Sequence, residues 1–505
     1  MKCGIKSVSR RGFVAGAAGI AGVAALAGAG MQVGFAHADA AAGTAEGEGE
    51  SAQECDVLVI GGGISGALAA LSAANAGADS VVLCEKQGFI GGSAALSSGF
   101  MVTVDNGNFA ETIDDSWDKM SSVLHGVHDQ SPDTTYPNWD RLQALFAEQS
   151  ATIDFMLGLG MTAEFGEKST AVTMWDGKGA GMMDGLAKAM DANGAIEVKL
   201  DSPATEILID DSGAVCGARF EGKDGAFAVS AKKVVLACGG ASHNEEILES
   251  YIPGTAVVDL DNQSAAGNTG DGFTMCEELG AQFYPTMSLE EGGASTDAAW
   301  KSDTGFRPST NDKLIVDAEG ARFTNEAPSG SGAGQILVYY MVDHASPKYW
   351  CVYDAATADA DTKTALDKGV EAGCVCFGET VEALAEAMGA DPATLSDAFS
   401  AYQDACATGE DKEFGKAAEK LVAYDESAGL YAIYLRPSSW GTIGGVVTDE
   451  EFHVLDEAGE PIANLFAVGE MSNREFFSVF YVGGNSLALN STAGRLAGAT
   501  AVAEM

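Results

Sequence analysis

Residues 55–66 read Cys55-Asp56-Val57-Leu58-Val59-Ile60-Gly61-Gly62-Gly63-Ile64-Ser65-Gly66. The first half is short, apolar and rich in β-branched residues, the pattern of a strand buried on both faces of a parallel sheet. The second half places glycines at 61, 63 and 66, a G-x-G-x-x-G turn with Ser65 inside it. Ala67 to Ala76 is Ala- and Leu-rich and predicts a helix closed by Gly77. Ser80-Val81-Val82-Leu83-Cys84 predicts a second strand, with Glu85 at its end. Glycines at this spacing permit a tight turn and let a pyrophosphate approach the backbone at a helix N-terminus. Glu85, about 20 residues on, is placed to accept ribose hydroxyls. A lone glycine motif says little, but here strand, turn, helix, strand and acid stand in order. The chain therefore opens as an α/β, Rossmann-like dinucleotide site.

Outward from this unit, Gly91-Gly92-Ser93-Ala94 and Ser97-Ser98-Gly99 form a second Gly/Ser-rich stretch. It offers backbone and hydroxyl donors to more of the same ligand. The whole chain has 505 residues, enough for two or three domains. Charged residues make up 20% and hydrophobic residues 46%, a globular balance that excludes disorder, collagen and coiled coil as the main architecture. Acidic residues number 73 against 28 basic ones, for a formal net charge of -45. So anionic a surface argues against nucleic acid and against anionic lipid headgroups as partners. The ten cysteines show no CxxC or ferredoxin spacing and read as buried thiols. His125 and His128 are read as loop histidines with no third ligand in sight, and no metal site is expected.

The N-terminus reads as an address. Residues 7–13 are Ser-Val-Ser-Arg-Arg-Gly-Phe, and an uncharged run follows from Val14 to about Ala36. Ala36-His37-Ala38-Asp39-Ala40 then offers A-x-A cleavage sites. Arg10 and Arg11, with Phe13, resemble a twin-arginine signal. Residues 1–40 are expected to be that signal, read by the twin-arginine export machinery, and 41–53 an acidic spacer. Such a route suits a protein that loads its cofactor in the cytoplasm and works outside it.

With Glu85-Lys86 ahead of the second glycine stretch, the run resembles the EK…GG(N/S)…S-G segment of the fumarate reductase/succinate dehydrogenase flavoprotein family. Other motifs follow in that family's order. Thr205 to Ile209, just after Ala204, is similar to its adenine-contacting strand. Val234 to Gly240 is similar to vlATGG, with Cys238 for Thr, and Asn268-Thr269-Gly270-Asp271-Gly272 to TGDG. Gly320 to Glu326 is similar to GxRFvNE, and Leu465 to Glu470 to LyAaGE. Gly483-Gly484-Asn485-Ser486-Leu487 and Gly494-Arg495 are similar to the closing motif. The resemblance implies FAD bound through Gly61, Gly63, Ser65, Gly66, Glu85, Gly92, Ser93, Ala94, Ser98, Gly99, Ala204, Gly239, Asp271, Glu470, Ser486 and Leu487. Glu470 should hold the ribityl chain. The last motif should open a helix whose N-terminal amides face the flavin pyrimidine and favour reduced flavin. No histidine lies between Gly91 and Gly99, so the FAD is expected to be non-covalent. The expected fold is α/β, α+β overall. Its FAD-binding domain comes from 54–287 and 426–505, with a capping domain inserted at 288–425.

The departures from that family are as informative. Its arginine acid falls at Gly330, its HTMGG histidine at Gly441, its HPT histidine at Tyr284 and its carboxylate-clamping arginine at Tyr481. A buried dicarboxylate would lack cationic partners. Tyrosine before the last glycine pair, with Gly441-Thr442-Ile443-Gly444-Gly445, is similar to the 3-ketosteroid dehydrogenases. This implies a neutral, bulky substrate with a conjugated C=C. Flavin N5 would deliver hydride and a tyrosine the proton. Tyr481 is the first candidate acid, Tyr284 the second and Arg307 the third. Asn473 to Phe477 is expected to line the pocket mouth. One dinucleotide fingerprint leaves no second site for NADH, so a separate donor is implied, a membrane cytochrome or quinol-linked protein. The expected function is an exported reductase of a small organic acceptor. The alternatives are a dehydrogenase running oxidatively and a protein that binds FAD without catalysis.

Overall fold

The computed structural model describes residues 52–103, 113–167, 171–328 and 332–505. The signal, most of the spacer and Gly330 lie outside them.

The opening unit forms as strand Ala52–Ile60, glycine turn, helix Ile64–Ala76 and strand Val81–Cys84. The strand starts at Ala52, two residues inside the stretch read as spacer, where Ala52 pairs with Ala228. It runs parallel to Val81–Cys84 on one side and to Gly225–Leu236 on the other. Val57, Leu58 and Val59 are wholly buried, as a strand covered on both faces requires. The sheet continues through Ile196–Lys199 at one edge and Pro461–Ala467, then His453–Leu455, at the other. Pro461–Ala467 is parallel to Gly225–Leu236, so distant parts of the chain build one sheet.

The closing helix Asn485–Ala503 lies along Ile64–Ala76, and small residues decide how closely. A Cβ on Gly494 would stand 2.2 Å from the Ser65 carbonyl oxygen, and one on Gly498 equally near that of Ala69. Backbone thus meets backbone where larger side chains would hold the helices apart. This contact brings the N-termini of both helices to the same end of the sheet.

A second, six-stranded sheet is organised on the long strand Leu430–Ile443. Its first half pairs antiparallel with Tyr349–Asp354 and Val375–Gly378, its second half with Ser288–Ser295. The sequence reading has the chain leave the inserted region at residue 425, yet this strand still pairs within the second sheet. Two apolar clusters cover its faces, one around Ile315, Leu337 and Ile433, the other around Val352, Leu395 and Tyr402.

A buried ion network ties this region together. Arg322 makes a bidentate pair with Glu326 (2.8 and 2.9 Å) and reaches Asp411 at 2.8 Å. Lys416 completes it at 3.2 Å from Glu326. Burial pulls the Asp411 carboxyl up, but Arg322 and the amides of Lys416 and Phe414 outweigh it and hold it at about 2. The folded value lies below the unfolded value of about 3.9. Its stabilisation is therefore full above pH 4 and lost as pH falls from about 4 towards 2. Arg322→Met leaves Glu326 and Asp411 buried beside one lysine, and is expected to cost about 3 kcal/mol. Urea unfolding at pH 7 and pH 3 checks this, with a smaller difference expected at the lower pH.

His125 and His128 lie on helix Ile113–His128, not in a loop. His128 is buried with Nδ1 2.8 Å from Ser478 Oγ, and desolvation lowers it to about 3, so it stays neutral.

Candidate active site

Each glycine of the opening turn has its own reason. Gly61 has φ +109°, and a Cβ there would stand 2.2 Å from the Ala237 carbonyl oxygen. On Gly66 it would meet the Gly61 carbonyl oxygen at 1.9 Å. Gly63 caps the helix, and a Cβ there meets nothing within 4 Å. Two glycines are thus demanded by packing, and the third leaves the helix N-terminus open to a phosphate. Glu85 braces the turn, accepting from the Gly62 amide at 2.6 Å and the Gln87 amide at 2.7 Å.

A cavity of about 740 Å³ runs from this turn to the head of the closing helix. Gly61, Ser65, Glu85, Gly92, Ser93, Ala94, Ser98, Ala204, Gly239, Asp271, Glu470, Ser486 and Leu487 all line it. Gly63, Gly66 and Gly99 do not. Gly66 faces backbone, and a Cβ on Gly99 would press the Lys178 backbone at 2.7 Å. Lys86 is the one cation among the lining residues, and its ammonium is engaged by Asp271 and Thr269, each at 2.6 Å.

At the far end stand three carboxylates. Glu470 accepts from the Thr442 amide (2.9 Å) and from Asn268 Nδ2 (3.0 Å). Glu290 accepts from the Ser486 hydroxyl at 2.6 Å, and Glu291 from the Tyr481 amide at 2.9 Å. All are buried. Desolvation raises Glu470 to about 7. It also raises Glu290, to which the charge of Glu470 adds, and Glu291, which Arg474 partly offsets. A Cβ on Gly441 would stand 2.5 Å from Glu470 Oε1 and 3.3 Å from Glu290 Oε2. Two acid heads therefore fill the space that any side chain at position 441 would need.

Tyr481 lines the same end. Its ring meets Trp440 edge-on at 5.9 Å and Phe477 at 5.6 Å. Burial raises its phenol, with the charge of Glu290 adding, while the Ser486 and Gly484 amides act the other way. The hydroxyl therefore keeps its proton at neutral pH. Trp440 is partly exposed at the cavity and donates to Gln263 Oε1 at 3.1 Å.

The other two candidates lie elsewhere. Tyr284 is buried against Tyr136, edge-on at 5.7 Å, and is not among the lining residues. Arg307 is exposed in the loop after helix Ala298–Thr304. The Asn473 to Phe477 stretch sits under the site instead of at its mouth. Arg474 is fully buried there, donating to the Phe477 and Ser478 carbonyls (2.6 and 2.7 Å) and to Asp133 (2.7 Å). Sequence reasoning missed Glu290, Glu291 and Trp440, and placed Asn268 in a motif without its bond to Glu470. The only signal for the first two is an acid pair closing the short run Met287-Ser288-Leu289.

These residues fit FAD. The open helix terminus at Gly63 suits its pyrophosphate, and Gly483, where a Cβ would also meet nothing within 4 Å, leaves room at the closing helix. The comparisons agree. The FAD binding domain model matches residues 56–487. The probable fumarate reductase Ifc3 of Shewanella frigidimarina is 30% identical over 88% of this chain and 74% of its own. The digoxin reductase of Eggerthella lenta is 26% identical over 85% of this chain and 83% of its own. A 3-ketosteroid-Δ4-(5α)-dehydrogenase from Rhodococcus jostii, solved with 4-androstene-3,17-dione, shares the fold. Its TM-score is 0.65 at 22% identity, covering 89% of this chain and 97% of that one. The chain belongs to the FAD-binding family of the fumarate reductase flavoproteins, and is an FAD-dependent oxidoreductase of the class acting on carbon–carbon double bonds.

Proposed function

We propose that this protein is an exported reductase of a conjugated C=C in a neutral, aromatic or steroid-like acceptor, fed by a separate electron donor. One observation carries the reading. The cavity end at the closing helix presents Tyr481, Trp440 and the acids Glu290 and Glu470, while the lone lining lysine is committed to Asp271. A dicarboxylate there would meet acids and no free cation among the described lining residues, whereas a flat neutral molecule would meet aromatic surface.

Bound non-covalently and reduced, FAD supplies the electron pair as hydride. The chain supplies the rest. Trp440 and Tyr481 would hold the flat face, and the protonated Tyr481 hydroxyl would deliver the second hydrogen as a proton. General acid help of this kind is typically worth about 10²–10⁴ in rate. Residues 54–287 and the chain after the long strand Leu430–Ile443 would form the FAD half, with the region from 288 through that strand as the cap over the substrate. The twin-arginine-like N-terminus supports a site of action outside the cytoplasm. Among the described residues no helix is long and apolar enough to cross a membrane. The donor would be a membrane cytochrome or quinol-linked protein.

The donor is tested directly. Reduced viologen should sustain turnover with a conjugated acceptor, and NADH should not. Robust NADH-driven turnover by the purified protein would overturn the separate donor. Oxidation of the saturated product with an artificial electron acceptor, without any reductive turnover, would assign the oxidative direction.

A further inference from the structure

Glu290 and Glu470 reach the site from different elements. Glu290 comes from strand Ser288–Ser295, and Glu470 from the turn after strand Pro461–Ala467. Their heads converge on the space beside Gly441 where a Cβ would stand, and among the described residues no salt bridge to either is formed. Among the described residues, the charged and titratable groups near them are these. Glu291 lies on the same strand but binds the Tyr481 amide. Tyr481 is a neutral phenol. Arg474, whose charge acts on Glu291, is spent on Asp133 and two backbone carbonyls. Glu470 is otherwise held by neutral donors, Asn268 and the Thr442 amide. Glu290 is held by the Ser486 hydroxyl, and Asn473 Nδ2 lies 3.4 Å away. Two like charges buried this close without a counter-ion cannot both persist, so the pair keeps a proton.

Ser486 places the pair against the cofactor. Its hydroxyl binds Glu290, and its residue opens the closing helix at the cavity end where the flavin ring would lie. We propose that the Glu290–Glu470 pair is a proton store coupled to the flavin, holding one proton when the bound FAD is oxidised and taking up a second when it is reduced. The step balances. Two electrons from the reductant and one proton go to the FAD, which leaves one added negative charge. That charge makes the remaining carboxylate too costly, and a solvent proton converts it to a carboxylic acid. This rests on FAD binding alone, and not on the identity of the acceptor.

The test is the midpoint potential of the FAD holoenzyme followed by flavin absorbance from pH 6 to 8. Wild type should take up two protons per two electrons, and the double variant Glu290→Gln/Glu470→Gln, which has no carboxyl left to protonate, only one. Equal stoichiometry in wild type and that double variant would overturn the proposal. The reduced-minus-oxidised infrared spectrum of wild type keeps it falsifiable should the variant lose FAD. A carboxylic acid C=O band that grows on reduction and shifts in D₂O is expected, and its absence would equally overturn it. Failure of the acceptor assignment would leave both readouts unchanged.

Discussion

Tyr481→Phe lowers kcat for acceptor reduction by about 10²–10⁴ and leaves KM and bound FAD nearly unchanged. The substitution removes one hydroxyl and keeps the ring, so the contacts with Trp440 and Phe477 survive. The Tyr481 amide still donates to Glu291, because that bond belongs to the backbone. What is lost is the protonated oxygen among the cavity's aromatic groups. A fall in kcat and kcat/KM together is the mark of an interaction made in the transition state. Steady-state rates with reduced viologen, alongside the flavin absorbance of the purified variant, read both halves. Undiminished turnover would remove Tyr481 as the acid.

The site was legible in sequence where its parts are local. Gly66 and Glu85 answer to the turn they build, within the roughly 30-residue span of one βαβ unit, whereas Gly61 also answers to the Ala237 carbonyl after the neighbouring strand. The closing helix was legible for a similar reason, since its glycine pair and small residues form one contiguous run. Glu290 was not. An acid pair in a strand usually reads as a solvated edge, and only Leu430–Ile443 lying against Ser288–Ser295 turns it inward. Trp440 and Gly441 sit on that same long strand, so their role depends on the same pairing. Arg307 and Tyr284 failed to reach the cavity for a related reason. They were placed by likeness to motifs in loops and strand ends, where a few residues of slippage redirect a side chain. Arg474 shows the reverse case, a cation near the site in sequence whose charge is consumed by carbonyls and Asp133.

The second large effect concerns the charge of the acceptor. A neutral enone entering beside Trp440 and Tyr481 buries apolar surface and asks nothing of the acids. A dicarboxylate must bring charge against Glu290 and Glu470 with no free cation among the described lining residues. An uncompensated buried charge costs about 3–5 kcal/mol, or about 10²–10⁴ in rate at 1.4 kcal/mol per tenfold. The FAD of the whole enzyme can be reduced anaerobically with dithionite and mixed with one acceptor at a time, following return of the oxidised flavin absorbance. A neutral cyclic or steroidal enone is predicted to reoxidise it at least about 10²-fold faster than fumarate at equal concentration. Reoxidation by fumarate as fast as by any neutral enone would contradict the account.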